Sequence, residues 1–186
     1  MAWTAPRTWT TGELVTAAMM NEQIRDNEVY LKAIDLYSDY IHIREEQASG
    51  VDGGGFTQGA WQTRVLNVEV SDTGGDAALA ANQITLEAGT YRCLISCPAL
   101  MVHAHKARLQ NITDASTLLV GSSEYADSAG IVGNRTFIVG RFTLAAQKVL
   151  EIQHRCVLTR AVNGWGLGCN FGVVEVYTEV EFWKEA

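Results

Sequence analysis

Thr90-Tyr91-Arg92-Cys93-Leu94-Ile95-Ser96-Cys97 alternates from residue to residue, the period of a half-buried β-strand. Ala88-Gly89 gives it a turn on one side, and Pro98 follows it on the other. The same period recurs in both directions. Val65–Val70, Gln83–Leu86 and Ala107–Ile112 read as strands, as do Ser116–Val120, Thr136–Leu144, Val149–Leu158 and Gly172–Trp183. Turn signals separate them: Asp72-Thr73-Gly74-Gly75, Thr113-Asp114, Gly121-Ser122-Ser123, Gly133-Asn134 and Asn163-Gly164-Trp165-Gly166. Eight or more short strands at this spacing predict an antiparallel β-sandwich over residues 56–186.

Upstream the texture changes twice. Ala48-Ser49-Gly50-Val51-Asp52-Gly53-Gly54-Gly55 is glycine-rich, so 49–55 is expected to be a linker. Before it, neither Gly nor Pro interrupts Ala17–Ala48, and Thr16 is placed to cap a helix. Met20, Ile24, Asn27, Leu31, Ile34, Ser38 and Ile41 recur in steps of four and three, the seam of a coiled coil. A second seam, Val29, Ala33, Leu36, Tyr40 and Ile43, widens the stripe toward a trimer. Residues 21–48 are therefore expected to form a helical trimeric stalk. Residues 1–20 carry Trp3, Pro6, Arg7 and Trp9. Two large aromatics in so short a segment need another surface, either this chain's own helix or a partner protein. The predicted fold class is mainly β: a coiled-coil stalk followed by a homotrimeric jelly roll.

The bulk numbers narrow function. A net charge of −7, from 14 basic and 21 acidic side chains, argues against a nucleic-acid partner. No stretch of about 18 apolar residues offers a membrane span. Met1–Arg7 lacks the apolar core of a secretion signal, so folding in a cytosol is expected. Cys93, Cys97, Cys156 and Cys169 are then expected to be free thiols rather than metal ligands.

Pro6-Arg7-Thr8-Trp9-Thr10-Thr11-Gly12-Glu13-Leu14-Val15-Thr16-Ala17, with Met20-Asn21 and Arg25-Asp26-Asn27, resembles the opening of many bacteriophage tail-fibre and minor virion proteins. Thr63–Asn67, Leu86–Tyr91, Glu151–Cys156 and Glu175–Lys184 are similar to phage fibre heads. The Ala88-Gly89-Thr90-Tyr91 strand opening and the closing strand also look like the jelly roll of complement globular heads and tumour-necrosis-factor-like proteins. That resemblance implies a homotrimer. Together these resemblances imply a virion fibre assembled in the host cytoplasm. Its N-terminus would hold a capsid, portal-proximal or tail protein, and its head would decorate the particle or touch a host surface glycan.

No Gly-x-Ser-x-Gly elbow, phosphate loop or His-Glu-x-x-His helix occurs, so no catalytic residue and no cofactor is expected. Two alternatives stand beside the fibre: a trimeric depolymerase with paired carboxylates, and a soluble lectin-like adhesin. His103 and His105 share a strand face, from which three copies could meet on an axis around an ion; hydrogen bonding inside the head is the other reading. Trp165, between glycines, with Asn163 and Arg160 beside it, is the predicted glycan contact, and Tyr125 is a second.

Overall fold

Period-two burial decides where helix gives way to strand. The computed structural model describes residues 4–33 and 37–186. They divide into two units, Met1–Ser38 with Ala186, and Asp39–Glu185. In the first unit the Thr16 hydroxyl accepts from the Met19 amide at 3.2 Å and starts the helix, as expected. The helix runs as α1 (Ala17–Met20), a π-helical turn (Asn21–Arg25) and α2 (Asp26–Ala33). The preceding segment folds against it. The Thr4 amide donates to Asn27 Oδ1 at 3.0 Å, and Asn27 Nδ2 donates back to the Thr4 carbonyl at 3.0 Å. The Arg7 amide donates to Gln23 Oε1 at 2.9 Å.

The helix does not continue to residue 48. Tyr37–Gln47 is a strand, β1, in which Asp39, Ile41, Ile43 and Glu45 are buried and the residues between are more open. The missing Gly and Pro made helix and strand equally allowed there. Two β-branched residues at i and i+2, packed into a sheet, decide for strand. The predicted stalk over 21–48 is thus corrected to a helix ending at Ala33. Ile41 is a core residue of the sandwich, and Ile34 lies outside the described residues.

The second unit continues with β2 (Gln62–Thr63), β3 (Val68–Asp72), β4 (Ala77–Ala80), β5 (Gln83–Leu86), β6 (Gly89–Leu100) and β7 (His103–Asn111). Then follow β8 (Ser116–Val120), β9 (Glu124–Ala126), β10 (Gly133–Leu144), β11 (Lys148–Cys156) and β12 (Glu175–Glu185). One sheet has the order β10-β6-β12-β1-β3. The other runs β4-β5-β11-β7-β8, with β2 on β11 and β9 on β7. Sequence-distant strands lie side by side, as a jelly roll requires. The longest pairing sets β10 against β6 from Gly133↔Leu100 to Leu144↔Gly89. Pro98 lies inside β6, not past its end. It is tolerated because the β12 pairing covers β6 only from Tyr91 to Ser96.

The core between the sheets has an apolar part and a polar part. In the first, Tyr91 stacks on Phe142 at 5.6 Å and Phe182 meets Phe142 edge-on at 5.8 Å, over Ile84, Leu109 and Ile152. The second holds Phe56, Val102, Cys156 and Trp165 around a fully buried Arg64. Arg64 Nε donates to Thr178 Oγ1 at 2.7 Å, and Nη1 to the Pro98 carbonyl at 3.3 Å. Nη2 reaches Glu45 Oε2 and the Trp165 carbonyl, each at 3.4 Å. The guanidinium carbon sits 4.5 Å from the Trp165 ring centre.

Residues 49–55 are correspondingly not a free linker. The Gly53 amide donates to the Gly166 carbonyl and the Trp165 amide to the Gly54 carbonyl, both at 3.1 Å. A Cβ on Gly55 would lie 2.3 Å from the Ala161 carbonyl oxygen, so glycine is required for close backbone approach. Arg64→Met strands the buried Glu45 carboxylate and is expected to cost about 3–5 kcal/mol. Arg64→Met/Glu45→Leu, which removes both charges, should recover most of that loss in urea unfolding.

Candidate functional site

Strand alternation gives the five-stranded sheet two faces, and the one turned away from the core is unusually apolar at its middle. In β10, Thr136, Ile138, Phe142 and Leu144 point into the core. Phe137 and Val139 point out, at 45% and 67% exposure. Register sets Val139 beside Leu94 of β6, itself 40% exposed, and Leu94 beside Glu181 of β12. It sets Phe137 beside Ser96, and Ser96 beside Glu179. Leu94, Ser96, Phe137, Glu179 and Glu181 line a depression of about 220 Å³.

Charge surrounds this apolar centre. Arg141 makes a two-toothed contact with Glu185, Nε to Oε1 at 2.9 Å and Nη2 to Oε2 at 2.6 Å. Arg92 Nε reaches the same carboxylate at 3.2 Å. Arg135 approaches Glu179 at 3.9 Å, and His42 approaches it from β1 at 4.0 Å. Tyr40 donates its hydroxyl to Glu181 at 2.7 Å. Partial burial, then that bond to a carboxylate, push the phenol up to about 12. An apolar centre with a paired, charged rim is the anatomy of a protein–protein contact.

The predicted contact loop is built differently. Trp165 is buried: its ring faces Arg64 and packs edge-on against Phe56 at 5.9 Å. It closes the sandwich and is not a glycan platform. Arg160 and Asn163 bond each other, Nε to Oδ1 at 2.8 Å. Tyr125 is 57% exposed and stacks on His103 at 5.3 Å.

His103 and His105 have separate partners. His103 Nε2 meets Ser128 Oγ at 2.6 Å. His105 Nε2 lies 2.7 Å from Asn134 Oδ1, and its Nδ1 lies 3.0 Å from His154 Nε2. An amide oxygen only accepts, so His105 carries a proton on Nε2; burial disfavours charge on either ring, and between neutral rings His105 Nδ1 accepts from His154 Nε2–H. His154 Nδ1 is then bare, in agreement with its burial without a partner. Among the described residues no group of three His, Cys, Asp or Glu side chains is placed to hold a metal. Cys93, Cys97 and Cys156 are buried free thiols, while Cys169 is an exposed one. Burial pushes the Cys93 thiol up to about 12.

Of the expected attachment residues, Trp3 lies outside the described residues. Pro6 precedes an Arg7 that pairs with Glu13 and sits 4.8 Å over the Trp9 ring, and Trp9 stays partly exposed. On the helix, Met20, Ile24 and Leu31 are exposed, while Asn27 is buried by Thr4 of its own chain rather than set into a seam. Sequence reading missed the Leu94, Phe137 and Val139 surface. Its signal was Phe137-Ile138-Val139, a strand apolar on both faces.

No family model matches the chain, and no curated protein matches it in sequence. Solved structures do. Murine APRIL at pH 5.0 aligns with a TM-score of 0.52 at 11% identity, over 78% of this chain and 98% of that one. The Eiger TNF of S. frugiperda gives 0.52 at 15% identity, over 79% and 92%. The globular domain of a zebrafish complement 1qA protein gives 0.50 at 12%, over 78% and 95%.

The histidine pair generates a pH prediction. Burial, with Arg64 and His105 nearby, holds His154 well below the usual 6.5. Burial also lowers His105, against the opposing pull of Asn134 and Glu124. The unfolded chain thus binds more protons below about pH 6.5, so stability should fall as pH drops through that value. Thermal unfolding should show a smaller loss between about pH 7.5 and 5.5 in His105→Asn/His154→Gln than in the parent. The fold that carries these groups, shared at low identity with these three structures, is the jelly roll of tumour-necrosis-factor-like and complement-head domains.

Proposed function

We propose that this chain is a non-enzymatic structural protein of a bacteriophage particle whose β-head self-associates as a homotrimer. The observation that carries the reading is the face of the five-stranded sheet, with Leu94, Phe137 and Val139 exposed inside a rim of paired charges. Exposed apolar side chains at that density gain by mutual burial, at about 25 cal/mol per Å² of apolar area. The compact head shares its fold with the jelly rolls named above, a likeness compatible with self-association. The phage assignment rests on the resemblance of Pro6–Asn27 and of the head segments to virion proteins. In this reading the N-terminal unit, with Leu14, Met20, Ile24 and Leu31 exposed, attaches to another virion protein and extends the contacts between copies. Several heads on one particle would raise avidity for a host surface by effective concentration.

Phe137→Glu/Val139→Glu places two charges per copy into the proposed contact. Sedimentation velocity should show the parent at three times the 20.3 kDa chain mass and the variant at one chain. A variant that stays trimeric contradicts the assigned face. Gold-labelled antibody on intact particles tests the location, and absence of label from purified virions contradicts the structural role.

A further inference from the structure

The other sheet also has an outward face, and it carries two cations of the described β-unit, Lys106 and Arg155, that have neither an ion pair nor a hydrogen bond. Arg44, Arg64, Arg92, Arg135, Arg141, Lys148 and Lys184 are each in an ion pair. Arg108 bonds Gln153 and Thr117, and Arg160 bonds Asn163. Lys106 and Arg155 have no hydrogen bond or ion pair among the described residues. They are also direct partners across β7 and β11, so two like charges face each other. Such a pairing is destabilising. In a chain of net charge −7 with 21 acids, an uncompensated pair of cations is an arrangement that nothing in the fold explains.

Both line one cleft of about 260 Å³. Trp61, just before β2, Ala104 and Val157 supply apolar wall, and Ser123 supplies a hydroxyl. Arg108, two residues along β7 from Lys106, sets its guanidinium 4.3 Å from the centre of the Trp61 ring and fixes that side chain. The one carboxylate in the lining, Glu124, is held by Asn134 Nδ2 at 3.4 Å. Glu151, farther along the same face of β11, accepts from Thr63, Gln83 and Gln153.

We propose that this cleft binds an acidic saccharide unit, its carboxylate between Lys106 and Arg155 and its carbon face against Trp61 and Val157. A bare anion would neutralise the two cations but leave the apolar wall wet. A neutral sugar would cover the wall but leave the cations unpaired. A carboxylated sugar does both. The cleft lies on the seven-stranded sheet, not on the face proposed for self-association.

The test uses the full chain with ¹⁵N-labelled tryptophan, and trigalacturonate against maltotriose as probes. Trigalacturonate should shift the Trp61 indole resonance saturably. The affinity should fall about tenfold or more in Lys106→Ala/Arg155→Gln and on raising salt from about 50 to about 500 mM. Maltotriose should leave the resonance unmoved. Lys106→Glu should abolish binding while keeping or raising the melting temperature, because it turns a repulsive cross-strand pair into an attractive one. Equal binding of maltotriose, displacement by inorganic phosphate at equal concentration, or unchanged binding by the double variant would each overturn the proposal. So would a lower melting temperature for Lys106→Glu. Oligomeric mass is read independently on the same samples, so failure here is distinct from failure of the trimer.

Discussion

A guanidinium without access to solvent holds the head together. Arg64 reaches Thr178 of β12, Glu45 of β1, the Pro98 carbonyl in β6 and the Trp165 carbonyl in the glycine loop. Four segments distant in sequence meet at one planar group with a fixed donor geometry. Burying that charge is costly, and the arrangement is stable only because Glu45 compensates it. Even so, Glu45 Oε1 and Trp165 Nε1 are buried without partners. Apolar side chains of equal size at both positions would supply most of the same stability. What the ion pair supplies is placement, because it fixes where the 49–56 and 160–168 segments dock and so where the end of the sandwich closes.

That closure assigns the surfaces. With Trp165 facing inward over Arg64 and Phe56, the glycine loop serves the fold and offers no aromatic platform. The chemistry left outside lies on the two sheet faces. One is apolar at its centre with paired charges around it, suited to another copy of itself. The other carries unpaired cations beside an indole, suited to an acidic ligand. The proposed association uses the first face and the proposed ligand the second, so a symmetric assembly would carry one cleft per copy.

Much of the sandwich was legible in the sequence, since each strand with one buried face alternates plainly, as Thr90–Cys97 does. What escaped has physical causes. In β1 the buried positions include Asp39 and Glu45, so polar residues masked the alternation of Ile41 and Ile43, and a heptad reading ran through them. Glycines 53–55 looked like a flexible linker, yet glycine also serves where backbones approach closely, and composition does not separate the two uses. Trp165 looked displayable for the same reason. Its partner Arg64 lies 101 residues away and its burial could not be read locally. Lys106 and Arg155 are unremarkable in sequence, and only strand register makes them opponents.

The proposed self-association rests on the face of the five-stranded sheet. Electron cryo-microscopy of the purified full chain tests it directly. The expected result is a threefold particle with Leu94, Phe137 and Val139 buried between copies next to the axis. A monomeric particle, or an assembly that leaves those three side chains in solvent, would contradict it.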